Sequence, residues 1–312
     1  MPRRSFLRGA ASMLTLTGCL GHLGEAAAVP PVQNPEDRAM AFRIALNTST
    51  LRGFQLPIEE QIRVTAAAGY HGIEPWLSDV DAFTARGGRL DDLRRQLTDA
   101  GLQLAGAIAF WKWADADAAT RSQGLDLARR EMATIAALGG TCAAAPPLGS
   151  VTSVSLDAFA ERYAALCDLG RAAGVTPLLE LWGHSPRLST LAEVLYVAAA
   201  SRRSEARLLL DVYHLYKGNN AFESLRLLSG HAIGLFHIND YPSQPPRTEI
   251  QDQHRVWPGD GVAPLAQIAA TLRQAGYEGF LSLELFNPDY WRGDALTSAR
   301  TGLEKARRAF CQ

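Results

Sequence analysis

Cysteine is scarce and scattered: the 312-residue chain has four, at positions 19, 142, 167 and 311. No C-x-x-C pair or zinc-type spacing links them, which excludes a disulfide framework and a cysteine-ligated zinc ribbon. Cys167 falls in a helical pattern and Cys142 in a strand pattern, so both read as small core hydrophobes. Charge of one sign is missing as well. A balance of 31 basic against 32 acidic residues leaves a net charge of −1. That removes the electrostatic case for a nucleic-acid or membrane-surface partner. No Gly-rich anion loop precedes a helix near the last two strands, so no phosphate site is evident. What remains is a 47% hydrophobic, 20% charged chain. It is long enough for one large core, and an α/β barrel uses about 250 residues.

Residues 1–30 read as a twin-arginine-type export signal. Arg3 and Arg4 open P-R-R-S-F-L-R, and an apolar segment follows over residues 9–20. That segment falls short of the roughly 20 apolar residues a membrane span takes. Two processing routes fit: a lipoprotein box at L-T-G-C, which places a lipid anchor on Cys19, or cleavage after Ala26-Ala27-Ala28. Both imply a periplasmic protein. Residues 31–41 read as a Pro-rich linker, and residues 42–312 as the catalytic domain.

From Phe42 the pattern is strand then helix, repeated. Strands are expected over 42–50, 72–76, 102–110 and 141–147, then at the stretches ending near Glu180, Asp211, His237 and Glu284. Helices are expected over 58–68, 90–100, 125–138, 156–173, 191–201, 222–228, 264–275 and 295–310, several stopped by glycine. Strict alternation argues for a parallel sheet with right-handed crossovers. Eight units in about 270 residues favour closure into a single (β/α)8 TIM barrel.

The densest chemical signal is R-L-L-L-D-V-Y-H over residues 207–214. A Leu-rich run is a strand covered on both faces, and an acid at its end is costly to bury unless a cation or donors meet it. The same grammar recurs in T-P-L-L-E-L-W-G around Glu180, I-G-L-F-H-I-N-D around His237 and G-F-L-S-L-E-L-F-N around Glu284. The first three of these residues are spaced by about one strand–helix unit of roughly 30 residues. Working residues of such barrels lie at the carboxyl ends of strands. Three carboxylates and an imidazole converging there suit one divalent metal ion: Mn, Mg, Co or Zn.

D-V-Y-H, H-I-N-D-Y-P, H-R-V-W-P-G-D-G-V and L-S-L-E-L-F-N-P-D-Y-W together resemble the xylose-isomerase-like sugar isomerase/epimerase family. Within it the chain looks most like the 2-keto-myo-inositol isomerase branch. The resemblance implies a metal held by Glu180, Asp211, His237 and Glu284, with Glu180 and Glu284 also passing a proton between neighbouring carbons through an enediolate. It assigns substrate oxygens to His214 and Arg255. Its ketose 3-epimerases carry a further acid shortly after the first glutamate, whereas this chain reads L-W-G-H-S-P-R. That departure weighs against free-ketose epimerisation and leaves His184 or Arg187 to meet the substrate.

Glu74 and Trp111 are added as expected substrate contacts, and Asp240 as a group orienting the surroundings of His237. The implied partner is a small molecule: a sugar, keto-sugar or cyclitol. A homo-oligomer is expected. The same metal and bases can instead expel the aglycone from a 3-keto-glycoside. Two readings of other classes are a noncatalytic sugar-binding protein and an abasic-site endonuclease. The latter needs early-strand histidines and a basic groove, and this sequence has neither.

Overall fold

The computed structural model describes residues 42–311, so the export signal, the linker and Cys19 lie outside the described residues. Eight parallel strands form one sheet in the order β3-β2-β1-β8-β7-β6-β5-β4. They are β1 Arg43–Asn47, β2 Gly72–Glu74, β3 Gln103–Leu104, β4 Cys142–Ala145, β5 Thr176–Glu180, β6 Arg207–Asp211, β7 Ile233–Ile238 and β8 Phe280–Leu283. The ring closes between its two ends through a hydrogen bond of 2.9 Å from the Ala144 amide to the Ala107 carbonyl. The fold is the expected TIM barrel.

The third stave is weaker than its sequence suggests. Pro75 ends β2 because it has no N–H to give the ladder. After the Ala105 amide bonds the Ile73 carbonyl at 2.9 Å, the neighbouring chain runs on irregularly through Gly106-Ala107 and pairs again at Trp76 and Ile108. Gly106 leaves little room there for a side chain. A Cβ would stand 3.0 Å from Leu235 and 3.2 Å from the Glu74 carboxylate.

Helices α1 Ile58–Ala68, α2 Leu77–Ala85, α3 Leu90–Asp99, α4 Ala118–Ala137, α5 Leu156–Ala173, α6 Leu191–Ala200, α7 Val212–Lys217, α8 Leu265–Gln274 and α9 Ala295–Phe310 alternate with the strands. Four depart from expectation. Helix α4 starts seven residues early, at Ala118, behind Asp117, whose side chain accepts the Thr120 amide and so caps the first turn. Helices α2 and α7 come as additions directly after strand ends, and residues 222–227 wind as a 3-10 helix rather than an α-helix.

Strand periodicity organises the interior. Ala45, Leu178, Leu209, Leu235 and Phe280 pack together inside the barrel, while their neighbours Ile44, Leu179, Leu208, Phe236 and Leu281 pack among the helices. Side chains two positions apart share a face. The next inward layer is therefore Asn47, Glu180, Asp211, His237 and Ser282, with Glu74 level with Asn47 across the β1–β2 register. An apolar plug thus carries a polar layer on its carboxyl-terminal side, which is where barrel enzymes work.

Candidate active site

Asp211, His237 and Glu284 meet in this layer. One ligand atom from each lies within 4.8 Å of the others, and all three residues are buried. The His237 imidazole is gripped from below by Glu74, with Nε2 3.0 Å from Oε2. Its Nδ1 faces the other way, 3.2 Å from Glu284 Oε2 and 3.8 Å from Asp211 Oδ2. That nitrogen is buried yet makes no aligned hydrogen bond. A lone imidazole nitrogen aimed between two carboxylates is a donor set that fits a divalent cation.

Arg255 closes the cluster and is itself 1% exposed. Its Nη1 donates to Glu284 Oε2 at 2.8 Å and Asp211 Oδ2 at 3.1 Å. Nη2 reaches Asp252 and lies 3.4 Å from His214 Nε2. The remaining Asp211 oxygen accepts the His214 amide, capping α7, while Oδ2 also accepts from Asn239. Asn47 donates to both Glu74 and Glu284, tying the inner and outer carboxylates together.

Burial pulls the His237 imidazole down, but the Glu74 and Glu284 carboxylates outweigh it and hold it well above its ordinary value. Burial, Arg255 and the neighbouring histidines push His214 well below its ordinary value, so it is neutral. Burial also raises Glu284, yet His237 and Arg255 prevail and keep its carboxyl low. Glu180 goes the opposite way. Burial, with Glu284 and Asp211 adding to it, pushes it up to about 8 against the pull of His237 and Trp182.

Glu180, Glu284, His214, His184 and Arg255 line one cavity of about 650 Å³. Glu180 belongs to the cavity but stands outside the three-residue group, so three of the four expected ligands come together and the fourth faces them. Other expected site residues are placed differently. Glu74 is fully buried beneath His237, held by Asn47 and by Ser282 at 2.6 Å, and does not line the cavity. Trp111 is fully buried, and its indole N–H donates to Glu131 at 2.5 Å. The aromatic side chain that faces the cavity is its neighbour Phe110, because side chains alternate along an extended segment.

Asp240 does not touch His237. It accepts the amides of Tyr241, Gly259, Gly261 and Ala263 at 2.8 to 3.1 Å, and so holds the W-P-G-D-G loop in shape. The cavity residues Trp76, Phe286 and Trp291 were not singled out by sequence reasoning. Their position just past strand ends was the available signal.

The family profile described as xylose isomerase-like TIM barrel matches residues 62–309. The chain belongs to that family. Among relatives of this xylose isomerase-like barrel, the inosose isomerase of Bacillus subtilis (strain 168) is 30% identical over 137 residues, 44% of this chain and 49% of that one. The chain thus spans about half the length of the inosose isomerases it matches. A 3-dehydroshikimate dehydratase of Pseudomonas aeruginosa is 26% identical over 258 residues, 79% of this chain and 39% of that one. Among solved structures, the IolI protein with a bound zinc atom superposes with a TM-score of 0.78 at 23% identity, covering 86% of this chain and 98% of that one. A D-psicose 3-epimerase crystallised with D-fructose gives a TM-score of 0.69 at 18% identity, covering 86% and 100%. These superpositions establish the shared fold. The inosose isomerases support that branch of the family.

Proposed function

We propose that the protein is a metal-dependent isomerase or epimerase of a keto-sugar or cyclitol, working by removal of a proton from the carbon beside a carbonyl. The observation that carries this reading is one cavity lined by two glutamates, Glu180 and Glu284, with the buried His237 Nδ1 left without an aligned hydrogen bond 3.2 Å from the Glu284 carboxylate. Asp211, His237 and Glu284 would hold the cation, and Glu180 faces it from across the cavity. When bound, the cation supplies Lewis-acid stabilisation of the charge that builds on a carbonyl oxygen.

The chain's own residues do the rest. Glu180 exchanges a proton with the substrate carbon at its carboxylate oxygen, and the opposed glutamate is the second proton carrier. The neutral His214, with Nε2 turned toward Arg255, keeps its Nδ1–H to donate to a substrate oxygen. Arg255 fixes Asp211 and Glu284 from behind, while Phe110, Trp76 and Trp182 shield the floor from water.

The decisive experiment incubates the metal-loaded protein with 2-keto-myo-inositol in deuterium oxide and follows the proton signal next to the ketone. Loss of that signal with formation of an isomeric product is expected. A substrate that keeps its proton and its structure overturns the proposal.

A second reading is elimination from a 3-keto-glycoside, favoured by the likeness to 3-dehydroshikimate dehydratases along most of the chain. The same proton is removed, the electron pair forms a carbon–carbon double bond, the C1–O bond breaks, and the departing oxygen takes a proton from a cavity carboxyl group to leave as an alcohol. Release of phenol from phenyl 3-ketoglucoside distinguishes it from isomerisation.

Export is proposed alongside. A compartment outside the cytosol supplies glycosides more readily than sugar phosphates. Unchanged localisation after Arg3 and Arg4 are both replaced by lysine would count against twin-arginine transport.

A further inference from the structure

The cavity has a charged floor, and its mouth carries an aromatic cluster of Phe110, Trp76 and Trp291 alongside the polar Gln251 and Gln253. Its volume of about 650 Å³ falls within the roughly 300–1,000 Å³ of pockets that enclose drug-sized ligands. Glu180, His214, Arg255 and Glu284 at the floor are all buried, whereas Phe110 at the mouth is 37% exposed. Phe110 meets Trp76 edge to face, with ring centroids 4.9 Å apart, and Trp291 lines the same cavity.

Both indoles are fixed and have their only donor already engaged. Trp76 Nε1 donates to Ser49 Oγ at 2.7 Å, and Trp291 Nε1 donates to the Thr50 carbonyl at 2.9 Å. Trp291 packs so closely on Gly53 that a Cβ there would fall 2.0 Å from the ring. The Arg52 guanidinium stacks 3.8 Å from the Trp76 ring centroid, adding a cation–π contact to hold it. With their N–H groups turned away, these side chains offer a ligand only π faces and edges.

Electrostatics at the floor adds a second constraint. Arg255 is the one arginine or lysine lining the cavity among the described residues, and Asp211, Glu284 and Asp252 surround it. Adding Glu180 gives four carboxylates against one guanidinium. A divalent cation leaves that group without an excess of positive charge. Beyond the metal itself, a phosphate or carboxylate on the ligand would meet no lining arginine or lysine that is not already paired.

We infer that the substrate is a neutral molecule of two parts, a polyhydroxylated ketone at the floor joined to a planar apolar group held against Phe110, Trp76 and Trp291. This rests on the proposed chemistry for the ketone end, while the mouth is read from its own geometry.

The test uses the full chain loaded with zinc and two ligands that differ only in aglycone, phenyl and methyl β-D-3-ketoglucoside, with phenyl 3-ketoglucuronide as the anionic control. Isothermal calorimetry is expected to show the phenyl glycoside binding at least fivefold tighter than the methyl one, with the glucuronide weaker by a similar factor. Phe110→Ala and, separately, Trp76→Ala are expected to lower the phenyl-to-methyl ratio below twofold. Phe110→Ala guards against a fold defect in the partly buried Trp76 variant.

A ratio under fivefold in the unaltered protein, or no measurable binding of the phenyl glycoside at millimolar concentration, overturns the inference. A phenyl preference without proton exchange or phenol release sinks the chemistry and spares the mouth. Exchange on 2-keto-myo-inositol without a phenyl preference does the reverse.

Discussion

Glu74 holds His237 by its outer nitrogen at 3.0 Å, and both side chains are fully buried. The contact decides which imidazole nitrogen is left for the carboxylates on the other side. With Nε2–H committed to Glu74, Nδ1 is the nitrogen presented to Asp211 and Glu284. A carboxylate behind a metal-binding imidazole fixes its orientation and raises its basicity.

Glu74→Gln is therefore expected to weaken zinc binding by about 10- to 100-fold while the protein stays folded. Competition with a chromophoric chelator measures the affinity and circular dichroism checks the fold. An affinity within twofold of the unaltered protein would show that Glu74 is structural only.

Glu180 lines the cavity but is not one of the Asp211–His237–Glu284 group, so its two expected roles can be separated. Glu180→Gln is expected to slow proton exchange by roughly 10²- to 10⁴-fold, the range for loss of a general acid–base group. Zinc stoichiometry should stay at one per chain. Asp211→Asn is expected to lose the metal itself. Loss of zinc from the Glu180 variant would make that residue a ligand.

The raised His237 value fixes the sign of a pH effect. At neutral pH the metal-free imidazole carries a proton, because the opposing carboxylates outweigh its burial. A cation that takes Nδ1 must displace that proton, so zinc affinity should rise with pH. Calorimetry in two buffers of different ionisation enthalpy should register at least one proton released per zinc. Affinity that does not change between about pH 6 and pH 8 contradicts this assignment.

Cys142 and Cys167 are both pushed up to about 12, chiefly by burial. A raised folded-state value favours the protonated thiol, so their contribution is fully present below the ordinary thiol value near 9. It is lost as pH climbs from there toward 12. At pH 10.5 the loss should reach at most about 2 kcal/mol per thiol. Urea unfolding at pH 8 and pH 10.5 reads it, and a Cys167→Ala variant should show a smaller drop. In the folded protein at pH 8 both thiols should resist alkylation.

Sequence order was enough to establish the barrel and four of its strand ends. Buried parallel strands are continuous apolar runs, and an acid or histidine closing such a run stands out because burial makes it expensive. Asp211, His237 and Glu284 were legible for that reason, and so was Arg255 beside the W-P-G-D-G turn.

The partners that aim those groups were not legible. Glu74 lies 163 residues from His237, on a three-residue strand whose sequence shows an acid without showing which side chain it meets. Trp111 and Phe110 are neighbours of similar character, and only the phase of the irregular third stave sends one into the core and the other into the cavity. Asp240 could have served the metal or the loop, and backbone amides from Tyr241 to Ala263 claimed it. Local pattern dictates which faces are apolar and where strands end. Distances between side chains from different strands depend on register and closure, which arise only when the whole ring packs at once.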